Sequence, residues 1–188
     1  MVFLNVSGVN KEDAMKEILI VVDMQKDFVD GALGTKEAVG ILDNAVKKIK
    51  SFDGDIIVTY DTHSEDYMNT AEGSKLPVLH CVKGTSGWEL NEKIKAVLAD
   101  KEYTEIEKIT FGSIDLPEYI AEEYDVRDIS IQLIGLCTDI CVVSNALILK
   151  ANFPETPISV DSSCCAGVTP EKHFAALETM ASCQIDII

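Results

Sequence analysis

Short runs of consecutive apolar residues alternate along this chain with longer stretches in which apolar positions recur every three or four residues. The short runs predict strands at Glu17–Asp23, Asp55–Tyr60, Tyr103–Lys108, Ile129–Leu136, Pro157–Asp161 and Cys183–Ile188. The longer stretches predict helices at Lys36–Ser51, Trp88–Ala99, Leu116–Tyr124, Asp139–Ala151 and Pro170–Ala181. In the first of these helices Ile41, Ala45, Val46 and Ile49 share one face. Strands that are apolar at successive positions need cover on both faces, and helices between them supply the crossovers of a parallel sheet. The pattern therefore predicts an α/β fold: a three-layer, doubly wound sheet of six mainly parallel strands in the order 3-2-1-4-5-6, with helices on both faces.

No linker, repeat or low-complexity stretch interrupts this alternation, so residues 15–188 are expected to form a single domain. Residues 1–14 read as an N-terminal extension or tag remnant, because Met15 immediately precedes the first core-like segment. The longest irregular stretch, Asp61 to Gly87, carries two of the three histidines. A loop of that length in a compact domain is functional or disordered, and the histidines favour function.

Composition narrows the classes. The apolar fraction of 47% and charged fraction of 26% are ordinary for a globular protein. The formal net charge of −16 disfavours nucleic-acid backbones and anionic lipid. No apolar run approaches the roughly 20 residues that span a bilayer. Cys81, Cys137, Cys141, Cys164, Cys165 and Cys183 form neither a disulfide framework nor paired C-x-x-C zinc motifs. A reducing cytoplasm is the simplest setting.

Ligands of doubly wound sheets bind beyond the carboxyl ends of the strands, at the switch in strand order. The residues there are Asp23, followed by Met24 to Phe28; Asp61-Thr62-His63; Lys108, followed by Phe111-Gly112-Ser113; and the turn Gly135-Leu136-Cys137-Thr138-Asp139-Ile140-Cys141-Val142. Asp139 suits a helix N-cap, which would set Cys141 in the first helical turn, where the local field favours thiolate. Taken singly, each residue has a plainer role. The cysteines and Phe28 suit core packing, Asp23 suits a turn cap, and Lys108 suits a solvated charge beside Glu105 and Glu107. Their joint placement on one rim is the argument for chemistry.

A second group comprises Asp61, His63, Glu72 and His80. Imidazole nitrogen together with carboxylate oxygen suits a divalent metal, zinc foremost, with manganese and iron also compatible. Glu65 and Asp66 compete with Glu72 for the third place. His173 lies in a helical run outside both groups, in a structural or exposed position.

Five motifs in order resemble the isochorismatase-like cysteine hydrolases, most closely the nicotinamidases, from Lys16 onward. They are Val22-Asp23-Met24-Gln25-x-Asp27-Phe28, Asp61-x-His63, His80-Cys81-Val82-x-Gly84-Thr85, Lys108-x-x-Phe111-Gly112-Ser113 and Gly135-x-x-Thr138-Asp139-x-Cys141-Val142. The resemblance implies a catalytic triad of Asp23, Lys108 and Cys141, with Cys141 rather than Cys137 as nucleophile. It implies a cis peptide at Cys137–Thr138 and an oxyanion hole built from the backbone amides of Cys137 and Cys141. It implies metal ligation by Asp61, His63, Glu72 and His80, and ring contacts from Phe28 and Phe111. Many nicotinamidases place an aromatic residue shortly before the last histidine; this chain has Leu76-Pro77-Val78-Leu79. The implied activity is hydrolysis of nicotinamide to nicotinate and ammonia through a thioester, by a homo-oligomer acting on a small-molecule amide. A metal-independent hydrolase of carbamoyl or ureido groups is the nearest alternative, and a non-enzymatic redox or metal-binding protein a more distant one.

Overall fold

The computed structural model describes residues 15–188. The expected extension at residues 1–14 lies outside the described residues. Strands β1 (Lys16–Val22), β2 (Asp55–Asp61), β3 (Thr104–Lys108), β4 (Ile129–Leu136), β5 (Ile158–Ala166) and β6 (Asp186–Ile187) form one sheet, ordered β3-β2-β1-β4-β5-β6. Every neighbouring pair is parallel. Helices are α1 (Lys26–Val29), α2 (Lys36–Ser51), α3 (Glu92–Leu98), α4 (Asp115–Glu123), α5 (Val143–Asn152) and α6 (Pro170–Ser182).

Side chains of β1 alternate between two apolar layers, as the pleat requires. Ile18, Ile20 and Val22 pack with Leu116 and Ile120 of α4, Leu149 of α5 and Met180 of α6. Leu19 and Val21 pack on the other side with Leu42, Ala45 and Ile49 of α2 and Ile94 and Leu98 of α3. Ile18 to Val22 are all inaccessible to solvent, the reason this strand reads as an unbroken apolar run. Helix α2 starts at Thr35, whose hydroxyl accepts the Ala38 amide at 3.0 Å, and it buries Ala38, Leu42, Ala45 and Ile49 at helical spacing.

The chain runs outward from β1 to β3 and returns to β4 beside β1, so the switch point lies between the ends of β1 and β4. Gly135 is what lets them meet closely there. It has φ +121°, and a Cβ at this position would stand 2.1 Å from the Val22 carbonyl oxygen. This approach sets Asp23 beside the turn that leaves β4.

Several boundaries differ from expectation. The third helix is shorter than Trp88–Ala99. Asn91 caps Lys93, and Trp88 stays in the preceding loop, its indole donating to Thr62 Oγ1 at 2.9 Å. Strand β5 does not stop at Asp161, because Lys48 and Ser163 satisfy that carboxylate while Cys164, Cys165 and Ala166 continue into the core. The last strand shrinks to Asp186–Ile187, since Cys183 ends α6 and Gln184 adopts φ 64°.

Candidate active site

Asp23, Lys108 and Cys141 arrive from the ends of three elements and meet out of contact with solvent: they are 0%, 3% and 4% exposed. Lys108 Nζ lies 2.7 Å from Asp23 Oδ2, 3.3 Å from Asp61 Oδ1 and 3.5 Å from Cys141 Sγ. The other oxygen of Asp23 accepts the hydroxyl of Thr59 at 2.6 Å. Asp23 itself has φ 46°, so the chain reverses at the strand end and delivers its carboxylate to the rim.

Burial and neighbouring charge set the protonation states. Burial is the main cause that raises the Asp23 carboxyl above its usual value, and Lys108 opposes it. Burial against Lys108 loses to Asp23, Cys141 and Asp61, which hold the ammonium charged. The Cys141 thiol is pushed well above its ordinary value by burial and then by the charge of Asp23. This reverses the sequence expectation of a thiolate favoured by a helix start. Full desolvation of Cys141 and the charge of Asp23 outweigh the field of the turn and favour the thiol, and Lys108 Nζ lies between the two groups, 3.5 Å from the sulfur and 2.7 Å from Asp23 Oδ2.

The turn itself also differs from expectation. Thr138–Val142 forms a wide π-type turn ahead of α5, and the Cys137 carbonyl accepts the amides of Ile140 and Val142, on either side of Cys141. Asp139 is not the N-cap. Cys137 holds that place without a side-chain bond, while Asp139 Oδ1 turns outward to accept the Val168 amide at 2.9 Å. The cis peptide falls at Leu136–Cys137, one bond earlier than Cys137–Thr138, because Thr138 already belongs to the helical turn.

Asp61, His63 and His80 converge to within 4.8 Å of one another and are buried. Asp61 Oδ2 lies 3.0 Å from His63 Nε2 and 3.6 Å from His80 Nε2. Glu72 Oε1 stands 4.0 Å and 3.8 Å from the same two nitrogens, whereas Glu65 and Asp66 are exposed. The set fits a divalent cation on its own chemistry. His80 Nδ1 lies 2.8 Å from the Val78 carbonyl, an acceptor only, so Nδ1 carries a proton and Nε2 is the nitrogen that faces Asp61. His63 Nε2 is buried without a hydrogen-bond partner. Lone pairs facing carboxylate oxygens call for a positive charge between them, a metal ion or protons.

Both groups contribute to one cavity of about 280 Å³, whose lining includes Phe28, Phe111, Cys137, Cys141, Asp61, Glu72 and His80, together with Leu76, Val168 and Lys172. Of the residues expected from sequence, Phe28, Asp61, Glu72, His80, Phe111, Cys137 and Cys141 line this cavity, whereas Asp23, Lys108 and His63 are buried outside its lining, Lys108 against Asp23 and Cys141 and His63 against Asp61. Four roles went unread. Gln25 is fully buried, and its amide donates to the carbonyls of Asp61 and Trp88 and accepts the Asp61 amide, pinning the end of β2. Asn145 donates to the Cys141 carbonyl and accepts the Ser113 amide, joining the Cys141 turn to the loop after β3. Tyr67 packs against both His63 and His80, with ring centroids 4.6 Å and 4.9 Å away. His173 is not remote from the site: its Nδ1 lies 2.8 Å from Thr138 Oγ1. Only the first two carried a signal, Gln25 as a member of the first motif and Asn145 as a polar residue in the largely apolar run from Cys141 to Leu149.

Comparison with known proteins agrees with this geometry. Residues 17–188 match the Isochorismatase domain family. The isochorismatase family protein PncA of Bacillus subtilis is 31% identical over 181 residues, covering 89% of this chain and 96% of its own. The crystal structure of a pyrazinamidase/nicotinamidase from Streptococcus mutans superposes with a TM-score of 0.80 at 27% identity, covering 92% of this chain and 100% of that one. That of the Pyrococcus horikoshii pyrazinamidase in complex with zinc gives 0.75 at 27% identity, covering 92% and 98%.

Proposed function

The chain belongs to the Isochorismatase domain family as an enzyme of the amidohydrolase kind, and we propose that residues 15–188 form one catalytic unit that hydrolyses nicotinamide to nicotinate and ammonia. The observation that carries this reading is the meeting of a Cys–Asp–Lys constellation and a His/carboxylate cluster in a single cavity, joined through Asp61. An enzyme of carbamoyl or ureido groups has no need of the second cluster.

In the proposed cycle Asp23 takes the thiol proton of Cys141 as sulfur attacks the amide carbon. Lys108 keeps the charge of Asp23 and the developing thiolate compatible in a dry site. The oxyanion forms against the backbone amides of Cys137 and Cys141. Asp23 returns the proton to departing ammonia, leaving a thioester that water hydrolyses, with Asp23 again the base. Asp61, His63, His80 and Glu72 would hold the divalent ion, with zinc the first choice on donor chemistry. When bound, the ion supplies a ligand position for the pyridine nitrogen and so orients the ring. Phe28, 5.5 Å from the His80 ring centroid, and Phe111 offer aromatic contact in the same cavity.

The test is ammonia release from nicotinamide by protein supplied with zinc, alongside a ureido substrate. Turnover of nicotinamide that is lost in Cys141→Ala supports the reading. Turnover confined to the ureido substrate, or undiminished in Cys141→Ala, overturns it.

A further inference from the structure

The turn that carries Cys141 is held from two sides. On one side Asn145 and β4 fix it. On the other it meets the segment from Gly167 to His173, which walls the cavity with Val168 and Lys172. Two hydrogen bonds cross that contact: Asp139 Oδ1 accepts the Val168 amide at 2.9 Å, and Thr138 Oγ1 pairs with His173 Nδ1 at 2.8 Å. The approach is close enough to require glycine at 167, where a Cβ would stand 2.7 Å from the His173 amide nitrogen and 2.9 Å from Asp139 Oδ1. Thr138 is wholly buried, and no other hydrogen bond of its hydroxyl is present among the described residues.

These contacts act on a specific place. Thr138 follows Cys137, whose amide belongs to the proposed oxyanion hole, and it opens the π-type turn that ends beyond Cys141. A shift of Thr138 moves both amides and the sulfur together. Burial lowers the His173 imidazole below its ordinary value, with Asp139 opposing. The ring is therefore neutral near pH 7 and forms the bond through one tautomer.

We propose that His173 is a positioning residue that acts through Thr138: their hydrogen bond locks the Cys141 turn to the start of α6 and sets where sulfur and oxyanion amides meet the substrate. The oxyanion part rests on the amidohydrolase reading. The effect on the sulfur does not, because Cys141 can be alkylated without any substrate.

The experiment compares His173→Leu, His173→Asn, Thr138→Val, Thr138→Ser and the double variant Thr138→Val/His173→Leu. Steady-state kinetics with nicotinamide and the rate at which iodoacetamide modifies Cys141, followed by mass at that peptide, are both recorded. Displacing a preorganised donor or nucleophile by a fraction of an ångström is expected to lower kcat about 10-fold or more in His173→Leu and Thr138→Val, with KM changed less than about threefold. Alkylation of Cys141 should change by at least about threefold. Asparagine presents an amide atom near the place of Nδ1, and serine keeps the hydroxyl, so both should recover kcat to within about threefold. The double variant should be no worse than the poorer single one, since one bond is lost in each case. The proposal is overturned if His173→Leu, folded by circular dichroism, keeps both rates, if asparagine recovers nothing, or if the single losses multiply. Should His173→Leu not fold, Thr138→Val decides on the same readouts. If nicotinamide is not a substrate but alkylation follows this pattern, the substrate assignment falls and the positioning role stands.

Discussion

Asp61 stands against Lys108 with its Oδ1 3.3 Å from the ammonium, while its Oδ2 faces the two imidazoles of the second cluster. One carboxylate thus spans both groups. Burial opposes ionisation of Asp61, yet His63, His80 and Lys108 hold it well below the usual carboxylate range. Lys108 in turn is the cation shared by Asp61 and Asp23, and both carboxylates are buried.

Removing that cation is therefore expected to cost stability as well as activity. Lys108→Met leaves two buried carboxylates without a counter-charge, and loss of one partner from a buried pair costs about 3–5 kcal/mol. Urea unfolding near pH 7.5 measures it. The sign with pH follows from Asp23, whose value is already raised by burial. A raised carboxyl contributes stability that is present below its unfolded value, near 3.9, and lost as pH rises through the folded one. Without Lys108 the folded value rises further, so the deficit should shrink toward pH 5. A deficit independent of pH would contradict the shared-cation account.

The two cysteines of the turn should separate cleanly. Cys141→Ala should abolish hydrolysis. Cys137→Ala should stay within about fivefold of the parent, because only the backbone of that residue is assigned a role and a sulfur-to-methyl exchange at a partly exposed site disturbs little. Steady-state ammonia release checks both, and equal losses would contradict the assignment.

Thiol titration follows from burial. The Cys141 thiol is raised well above its ordinary value, and Cys137 is pushed up to about 12 by burial and then by Asp139 and Asp23. Alkylation of Cys141 should therefore climb with pH across the range from about 6 to 9 without a plateau. A plateau already reached near pH 7 would mean a resting thiolate and would remove the need for Asp23 as base.

Cation binding should stabilise the fold through the second cluster. A ligand at about 100 times its Kd adds about 2.7 kcal/mol to a state that alone binds it. Zinc added to chelator-treated protein should raise Tm in proportion to the logarithm of its concentration. His63→Ala should remove that response while sparing the Cys141 alkylation rate, since His63 touches the triad only through Asp61. An unchanged Tm with zinc and manganese alike would exclude the cluster as a metal site.

The sheet order was legible because β1 from Ile18 and β4 from Leu133 are buried on both faces, and full burial writes an unbroken apolar run such as Ile18 to Val22. Asp23, Asp61 and Lys108 could be singled out because a charged side chain at the end of such a strand has few structural reasons to be there, and the structure brings these three together. Boundaries that depend on distant partners were not. Asp161 looked like a strand end until Lys48, from helix α2, satisfied its charge. Asp139 looked like a cap until Val168, 29 positions away, proved to be its donor. The Cys141 thiol misled for the same reason: a local helix-start rule knows nothing of complete burial or of Asp23 across the sheet switch. His173 gave no signal, because a histidine in an amphipathic helix reads as surface unless its hydroxyl partner is known.

Asn145 offers the last test. It is fully buried one helical turn beyond Cys141, where its amide nitrogen donates to the Cys141 carbonyl at 2.8 Å and, at 3.3 Å, to that of Phe111. Its oxygen accepts the Ser113 amide at 2.9 Å. One side chain thereby ties the turn of the nucleophile to the loop that leaves Lys108 and carries Phe111. Asn145→Ala strands a buried amide and two carbonyls, each worth about 1–3 kcal/mol when left unpartnered, less whatever water recovers. The variant should therefore unfold at lower urea. It should also lose activity through kcat and KM together, because both the sulfur and one aromatic wall of the cavity are released. Asn145→Asp keeps the acceptor for Ser113 but lacks the donor for Cys141, so it should hold the loop better than the turn. Its KM should then stay closer to the parent than its kcat, and a variant that changed KM alone would contradict this division.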